Sequence, residues 1–206
     1  MAYVLGFFIA DGNLIVTKRG TCFLAFHSAD KILIEQIKKA MESEHMVSTR
    51  SSDVGLWYRL QIGSKEMFED LEKLGIKPNK AKRIKLPFIP ESLVGDFIRG
   101  YFDGDGNVWV GKVHRELKNP SLALRTAFTS ASVEFLNDLK DILHKNGIKG
   151  GSVSKVKNKE CSRLSFATGN SLKLYEIMYN VPQGLGLKRK KVVFERFKQL
   201  AAVAQR

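Results

Sequence analysis

Two aspartates, Asp11 and Asp105, each stand just before a glycine at the end of an apolar run: Val4 to Gly12 reads VLGFFIADG and Ile98 to Gly106 reads IRGYFDGDG. Small residues recur in both runs at helical spacing, Gly6 with Ala10 and Gly100 with Gly104, among large apolar neighbours such as Phe7, Phe8, Tyr101 and Phe102. Each run is therefore expected as a helix with one small face. A carboxylate in the last turn of a helix faces the negative end of the dipole, so stability does not choose Asp11 or Asp105. Gly12 and Gly106 are expected to close the two helices in the left-handed conformation. Small faces let backbones approach closely, and packing the two helices together would set the Asp-Gly ends side by side. Carboxylates that close are expected to hold a hard divalent cation between them. Paired carboxylates with Mg²⁺ beside phosphates are the ingredients of metal-assisted phosphodiester hydrolysis. One Asp-Gly alone reads as a turn after a helix; two matched copies argue for chemistry.

The elements that must position these acids form an internal repeat. After Asp11 a strand-like pair ends Phe26-His27-Ser28-Ala29 and a periodic helix follows; after Asp105 a similar pair ends Phe128-Thr129-Ser130-Ala131, again before a helix. The offset is 94 residues at the aspartates and 102 at the Ser-Ala pairs, which places an eight-residue insertion around Val113 to Ser121. Arg59-Leu60 matches Arg163-Leu164, and the lysine clusters at Lys80 to Arg83 and Lys188 to Lys191 each introduce an apolar segment. Per half the expected order is helix, two strands, helix, two strands, helix, an α+β class with two pseudo-symmetric αββαββα halves over 1–90 and 91–206. Strands are expected near Asn13 to Thr17, Thr21 to His27, His45 to Arg50 and Leu56 to Ile62, then near Asn107 to Val113, Leu122 to Thr129, Gly151 to Lys157 and Ser162 to Thr168. Helical stripes run through Leu33 and Ile37, Met67 and Leu71, and Leu136 and Leu139; a final helix is expected from about Lys190 to Ala204.

Lys and Arg number 34 against 21 acidic residues, a net charge of +13 that points to a polyanionic partner, with nucleic acid first among them. The basic residues recur in strands and their turns: Lys18, Arg19, Arg50, Arg59, Lys112, Arg115, Arg125, Lys155, Lys157 and Arg163. One face of a sheet so furnished could lie along DNA, its arginines and lysines on phosphates or guanine edges, with Gln61, Ser48, Ser154 and Thr126 reading other edges. Cys22 and Cys161 form no disulfide framework or metal-ligand spacing and read as buried, reduced thiols. The four histidines are scattered, against a zinc site. Gly184-Leu185-Gly186 has no dinucleotide-fold context and reads as a loop. No signal peptide or membrane-spanning run is visible, so an intracellular protein with no membrane partner is expected.

The two runs, taken position by position, resemble the LAGLIDADG homing endonuclease family, whose name is the motif itself, and the similarity extends through the repeat and the lysine segments. Two copies imply the single-chain, pseudo-twofold form and a monomer. The resemblance implies a four-stranded saddle-shaped sheet in each half, laid on double-stranded DNA, with the motif helices as central interface through Gly6, Ala10, Gly100 and Gly104. It further implies a double-strand break at a long site, with Mg²⁺ bound at the last acids, Asp11 and Asp105, together with Ala10 and Gly104. Mn²⁺ is expected to substitute and Ca²⁺ to support binding without cleavage. A basic residue beside each centre is carried over to Lys80 and Lys188, with Lys82 and Lys190 as competitors. The first motif departs from the family word at Ile9, where the second keeps an acid, Asp103; the family assigns that position a structural role.

Two alternative functions share the fold: an RNA maturase acting on its intron, and a catalytically silent DNA-binding protein. Retention of both acids favours cleavage, because an uncompensated carboxylate beside phosphate would weaken binding. No helix-turn-helix extension is visible after Phe197, against a regulator, and the flanking segments of a splicing protein insert are not visible either.

Overall fold

The computed structural model describes residues 1–53, 55–78, 83–114, 116, 118, 120–180 and 184–204. They form two compact units, the first holding 1–104 with 184–186, the second 105–180 with 187–204. The repeat places its boundary near 90; compactness groups the helix after that boundary with the first unit.

In the first unit, α1 (Ala2–Asp11) leads directly into β1 (Gly12–Val16) and β2 (Cys22–Ser28). Next come α2 (Lys31–Ala40), β3 (Val47–Ser52), β4 (Gly55–Gly63), α3 (Lys65–Lys73) and, after a 3₁₀ turn at Glu91–Leu93, α4 (Val94–Asp105). The strands make an antiparallel sheet in the order β1-β2-β4-β3. Alternation follows from the pleat: Leu24, Phe26, Leu60 and Ile62 point into a core with Phe7, Phe8, Leu33, Ile34, Ile37 and Phe68. Phe8 meets Phe26 edge to face at 5.1 Å between ring centres. At about 1.5–3 kcal/mol for each large apolar side chain buried, this layer is the main source of the unit's stability.

The second unit repeats the arrangement with β5 (Gly106–Val113), β6 (Ser121–Ser130), α5 (Val133–Lys145), β7 (Ser152–Lys155) and β8 (Ser162–Phe166). Its sheet has the matching order β5-β6-β8-β7. Leu124, Phe128, Leu164 and Phe166 face a core completed by Phe135, Leu136, Leu139 and Leu143. The repeated Ser-Ala pairs prove to be joints. Ser28 and Ser130 each accept the N–H two residues on, and those residues, Asp30 and Ser132, cap α2 and α5 by accepting from Leu33 and Phe135.

Two helices follow β8 where one was expected. α6 (Thr168–Tyr179) occupies the place that α3 holds in the first unit, and α7 (Lys188–Ala204) is additional. Thr168, expected to end a strand, instead starts α6, and its hydroxyl accepts the N–H of Leu124. Thr126, expected on the outer face, is buried on the inner one, hydrogen-bonded at 2.9 Å to Ser171 of α6. The insertion in the second hairpin is shared out: β5 and β6 are three residues longer each than β1 and β2, and the turn takes the remaining two. Cys22 and Cys161 are free thiols, half-buried rather than buried. Among the described residues no helix is long and apolar enough to cross a membrane.

Candidate active site and nucleic-acid interface

Within the first unit, α1 and α4 (up to Gly104) touch backbone to backbone. A β-carbon added to Gly6 would overlap the carbonyl oxygen of Phe97, and one added to Gly100 would overlap that of Tyr3. A β-carbon on Gly104 would overlap that of Ala10 and lie 3.1 Å from Oδ2 of Asp11. The small residues at helical spacing are thus those that meet, and the exposed carboxylate of Asp11 stands against the main chain one residue short of Asp105. Behind this contact a polar cluster is buried. Tyr3 donates its hydroxyl proton to Oδ2 of Asp103 at 2.8 Å, and Arg99 lies over the Tyr3 ring at 5.4 Å. Arg99 also donates through Nε to the carbonyl of Leu185 at 2.8 Å and through Nη2 to Asp96 at 2.5 Å. The Gly184-Leu185-Gly186 loop therefore straps the outer side of α4, and a β-carbon at Gly184 would reach 3.0 Å from the Arg99 guanidinium carbon.

Gly12 does not adopt the expected left-handed turn. Its φ is −85° and its ψ 160°, extended backbone that begins β1 directly after Asp11. Gly106 likewise enters β5 at once, paired with Phe128. Glycine is required at position 12 for space, since a β-carbon would sit 2.5 Å from the carbonyl oxygen of Phe8. Left-handed glycines do close helices elsewhere, Gly75 after α3 and Gly147 after α5, with φ of +82° and +84°.

In the second unit, Asp105 ends α4 and is half-buried. The side chain of Lys190, 7% exposed on α7, donates from Nζ to the carbonyl oxygen of Gly106 at 2.6 Å. Lys188, two residues earlier, is exposed on the first turn of the helix. Of the two lysines weighed from the sequence, Lys190 is the one brought to the main chain beside Asp105. Lys80 and Lys82 lie outside the described residues.

For a divalent cation, the donors assigned from the motif are the carboxylates of Asp11 and Asp105 and, since Ala10 and Gly104 carry no polar side chain, two main-chain carbonyls. All are hard oxygens, a set that fits Mg²⁺. Among the described residues no group of three or more His, Cys, Asp or Glu side chains is placed to hold a metal, so water and phosphate oxygens would complete any shell.

Strand register sorts the basic residues. In the first sheet Arg50, Trp57, Arg59 and Gln61 alternate with core positions, and the cross-strand row His27, Arg59, Ser48 lies on the same open face. Lys18 and Arg19 occupy the β1–β2 turn. In the second sheet Arg125 and Arg163 lie on the open face with Trp109, Ser154 and Ser165. Lys112 and Lys155 pair with Leu122 and Ser162, which puts them on the opposite parity, at strand ends where they still reach water. Lys157 is in the turn after β7, and Arg115 lies outside the described residues. The open faces also carry Trp57, Trp109 and His27, which charge counting does not find; a period-two pattern opposite arginines was their one sequence signal. Burial, then Arg59, then Arg50 hold the His27 imidazole below its ordinary pKa of 6.5. The buried Nε of Arg59 meets no acceptor among the described residues.

Comparison with known proteins bears on this geometry. Two curated relatives match: "Probable translation initiation factor IF-2" of Thermococcus kodakarensis, 38% identical over 100 residues and 47% of this chain, and "Replication factor C small subunit" of Methanocaldococcus jannaschii, 29% identical over 203 residues and 94% of it. The matched stretches span 7% and 10% of the length of those relatives. Among solved structures, the meganuclease I-SmaMI bound to uncleaveable DNA superposes with a TM-score of 0.66 at 13% identity, over 98% of this chain and 90% of that one. The LAGLIDADG meganuclease I-AabMI bound to uncleaved DNA gives 0.65 at 15% identity, over 100% and 91%. At such identities the likeness is one of fold. The profile of the LAGLIDADG-like domain family matches residues 1–75 and 92–177, taking in both motif helices and both sheets, and the chain belongs to that family.

Proposed function

We propose that this chain is a site-specific, divalent-metal-dependent endonuclease that makes a double-strand break in duplex DNA at a long site, acting as a monomer. The observation that carries this reading is the position of the Asp11 carboxylate against Gly104, immediately before Asp105, with each motif running straight into a sheet whose open face is basic. An acid placed for stability would avoid a helix C-terminus. The solved relatives named above are described as DNA-bound meganucleases, which supports the same substrate class.

Asp11 and Asp105, with the carbonyls of Ala10 and Gly104, would hold the cations. Bound Mg²⁺ supplies polarisation of water and of the phosphoryl oxygen. In hydrolysis a water oxygen bonds to phosphorus as the ester P–O bond breaks, and the leaving oxygen gains negative charge and then a proton. Lys190 would offset that charge: its ammonium is held on the Gly106 carbonyl, beside Asp105. Arg50, Arg59, Arg125 and Arg163, on the open faces, would bind the duplex on either side.

The test is cleavage, in Mg²⁺, of duplexes that the chain selects from a randomised library. Asp11→Asn and Asp105→Asn are each expected to abolish double-strand cutting while binding persists. Lys190→Met is expected to slow cutting by about 10²–10³ and Lys188→Met to leave it near wild type. Cutting by either Asn variant would remove the acids from the site. Selection of duplexes without cutting by the wild type would instead identify a DNA-binding protein of this fold.

A further inference from the structure

The open face of the second sheet carries a feature that a phosphate-binding surface does not need. Trp109 of β5 is 40% exposed there and pairs directly across the ladder with Arg125 of β6. Its indole does not stand off the sheet. It lies down over Gly111, where an added β-carbon would be 2.6 Å from Cη2 of the ring. Gly111 in turn pairs with Ala123, so two small residues make the shallow seat that the ring occupies. Arg125 is exposed and forms no ion pair among the described residues. A flat aromatic ring thus presents one apolar face outward, with the Arg125 side chain leaving the sheet about 5 Å away at the Cβ level.

In the major groove these two groups have distinct complements. The C5-methyl of thymine is the apolar feature there, and guanine O6 and N7 accept a guanidinium in bidentate fashion. Neighbouring bases are stacked at roughly 3.4 Å, so two side chains that leave the sheet about 5 Å apart can converge on adjacent base pairs. We infer that Trp109 and Arg125 together read one dinucleotide step, a thymine beside a guanine, within the half-site bound by the second unit. Gly111 is the positioning residue that lets the indole lie flat. The inference rests on the duplex-DNA reading above and adds to it the base identity at one place in the target. The first unit has a comparable pair, Trp57 across from Arg50, with Trp57 42% exposed, so a tryptophan opposite an arginine is present on both open faces.

Base preferences of the wild type, Trp109→Ala, Trp109→Phe, Gly111→Ala and Arg125→Ala are to be compared by selection from one randomised duplex library, each variant first checked for an unchanged thermal transition. The wild type is expected to select a T next to a G. Trp109→Ala and Gly111→Ala are expected to lose the thymine preference at that position alone, Trp109→Phe to keep part of it, and Arg125→Ala to lose the adjacent guanine preference by about tenfold or more. Replacing that thymine by uracil in the wild-type site removes the methyl without touching the protein, and is expected to weaken binding about fourfold for the wild type and not for Trp109→Ala. Identical profiles in all variants, a loss spread evenly over every position, or tighter binding to single strands than to duplex would overturn the assignment while leaving the endonuclease reading in place. Failure of the wild type to select any duplex would overturn both.

Discussion

His27 is a neutral group among cations. Its ring sits on the open face of the first sheet beside Arg59, and burial and the two arginines lower its pKa from 6.5. The unfolded chain therefore binds a proton more readily than the folded one, so the stability tied to this group is complete above about pH 6.5 and is lost as pH falls through the lowered folded value. Thermal unfolding followed from pH 7.5 to 5 is expected to show a fall in transition temperature that His27→Gln reduces. The same fall should shrink when a polyanion occupies the face, because phosphates offset Arg50 and Arg59. An equal acid sensitivity in the variant would mean that other groups carry it. Lys190 and Asp11 illustrate the other half of residue-scale chemistry: one is a buried ammonium held on a carbonyl, the other an exposed acid at the unfavourable end of a helix dipole.

At the scale of elements, the contact between α1 and α4 leaves no room for side chains. Gly100→Ala would drive a methyl group into the Tyr3 carbonyl, which is main chain and cannot rotate away, so a loss of about 3 kcal/mol or more is expected in denaturant unfolding. Gly169→Ala, in a helix where nothing lies within 4 Å of the added carbon, is the control and should be neutral or stabilising. These helices, the eight strands to within a few residues and the order of parts were legible in the sequence because small residues at spacing four, period-two alternation and the Ser-Ala joints are local signals. α6 was not legible: it opens Thr-Gly-Asn-Ser, its buried line is Ser171, Leu174 and Met178, and its polar member makes sense only once Thr126 is seen beside it. The left-handed turn assigned to Gly12 failed for a related reason. Asp-Gly looks alike whether the glycine is there for its φ or for the nearness of the Phe8 backbone. Which lysine approaches the main chain beside Asp105 depended on helix phase, which a cluster reading KRKK does not specify, whereas the open-face arginines followed once register was known.

For the whole molecule, a charge of +13 and arginines on both open faces predict a steep salt dependence. Affinity for the selected duplex should fall about a thousandfold or more between 50 and 200 mM salt, if six or more phosphates are neutralised, and a flat response would dissociate the sheets from the proposed partner. Matched places in the repeat carry different side chains: Trp109 stands where the first half has Ile15, and Cys161 where the first half has Trp57. A palindromic target would be served by identical faces, so a non-palindromic one is expected. The longer second hairpin gives this asymmetry a length. Strands advance about 3.4 Å per residue and base pairs stack at about the same interval, so three extra residues in β5 and in β6 amount to roughly 10 Å of additional ruler. If the chain binds duplex DNA as proposed, the half-site protected by the second unit is expected to be about three base pairs longer than that protected by the first, a difference that footprinting of the selected duplex reads directly.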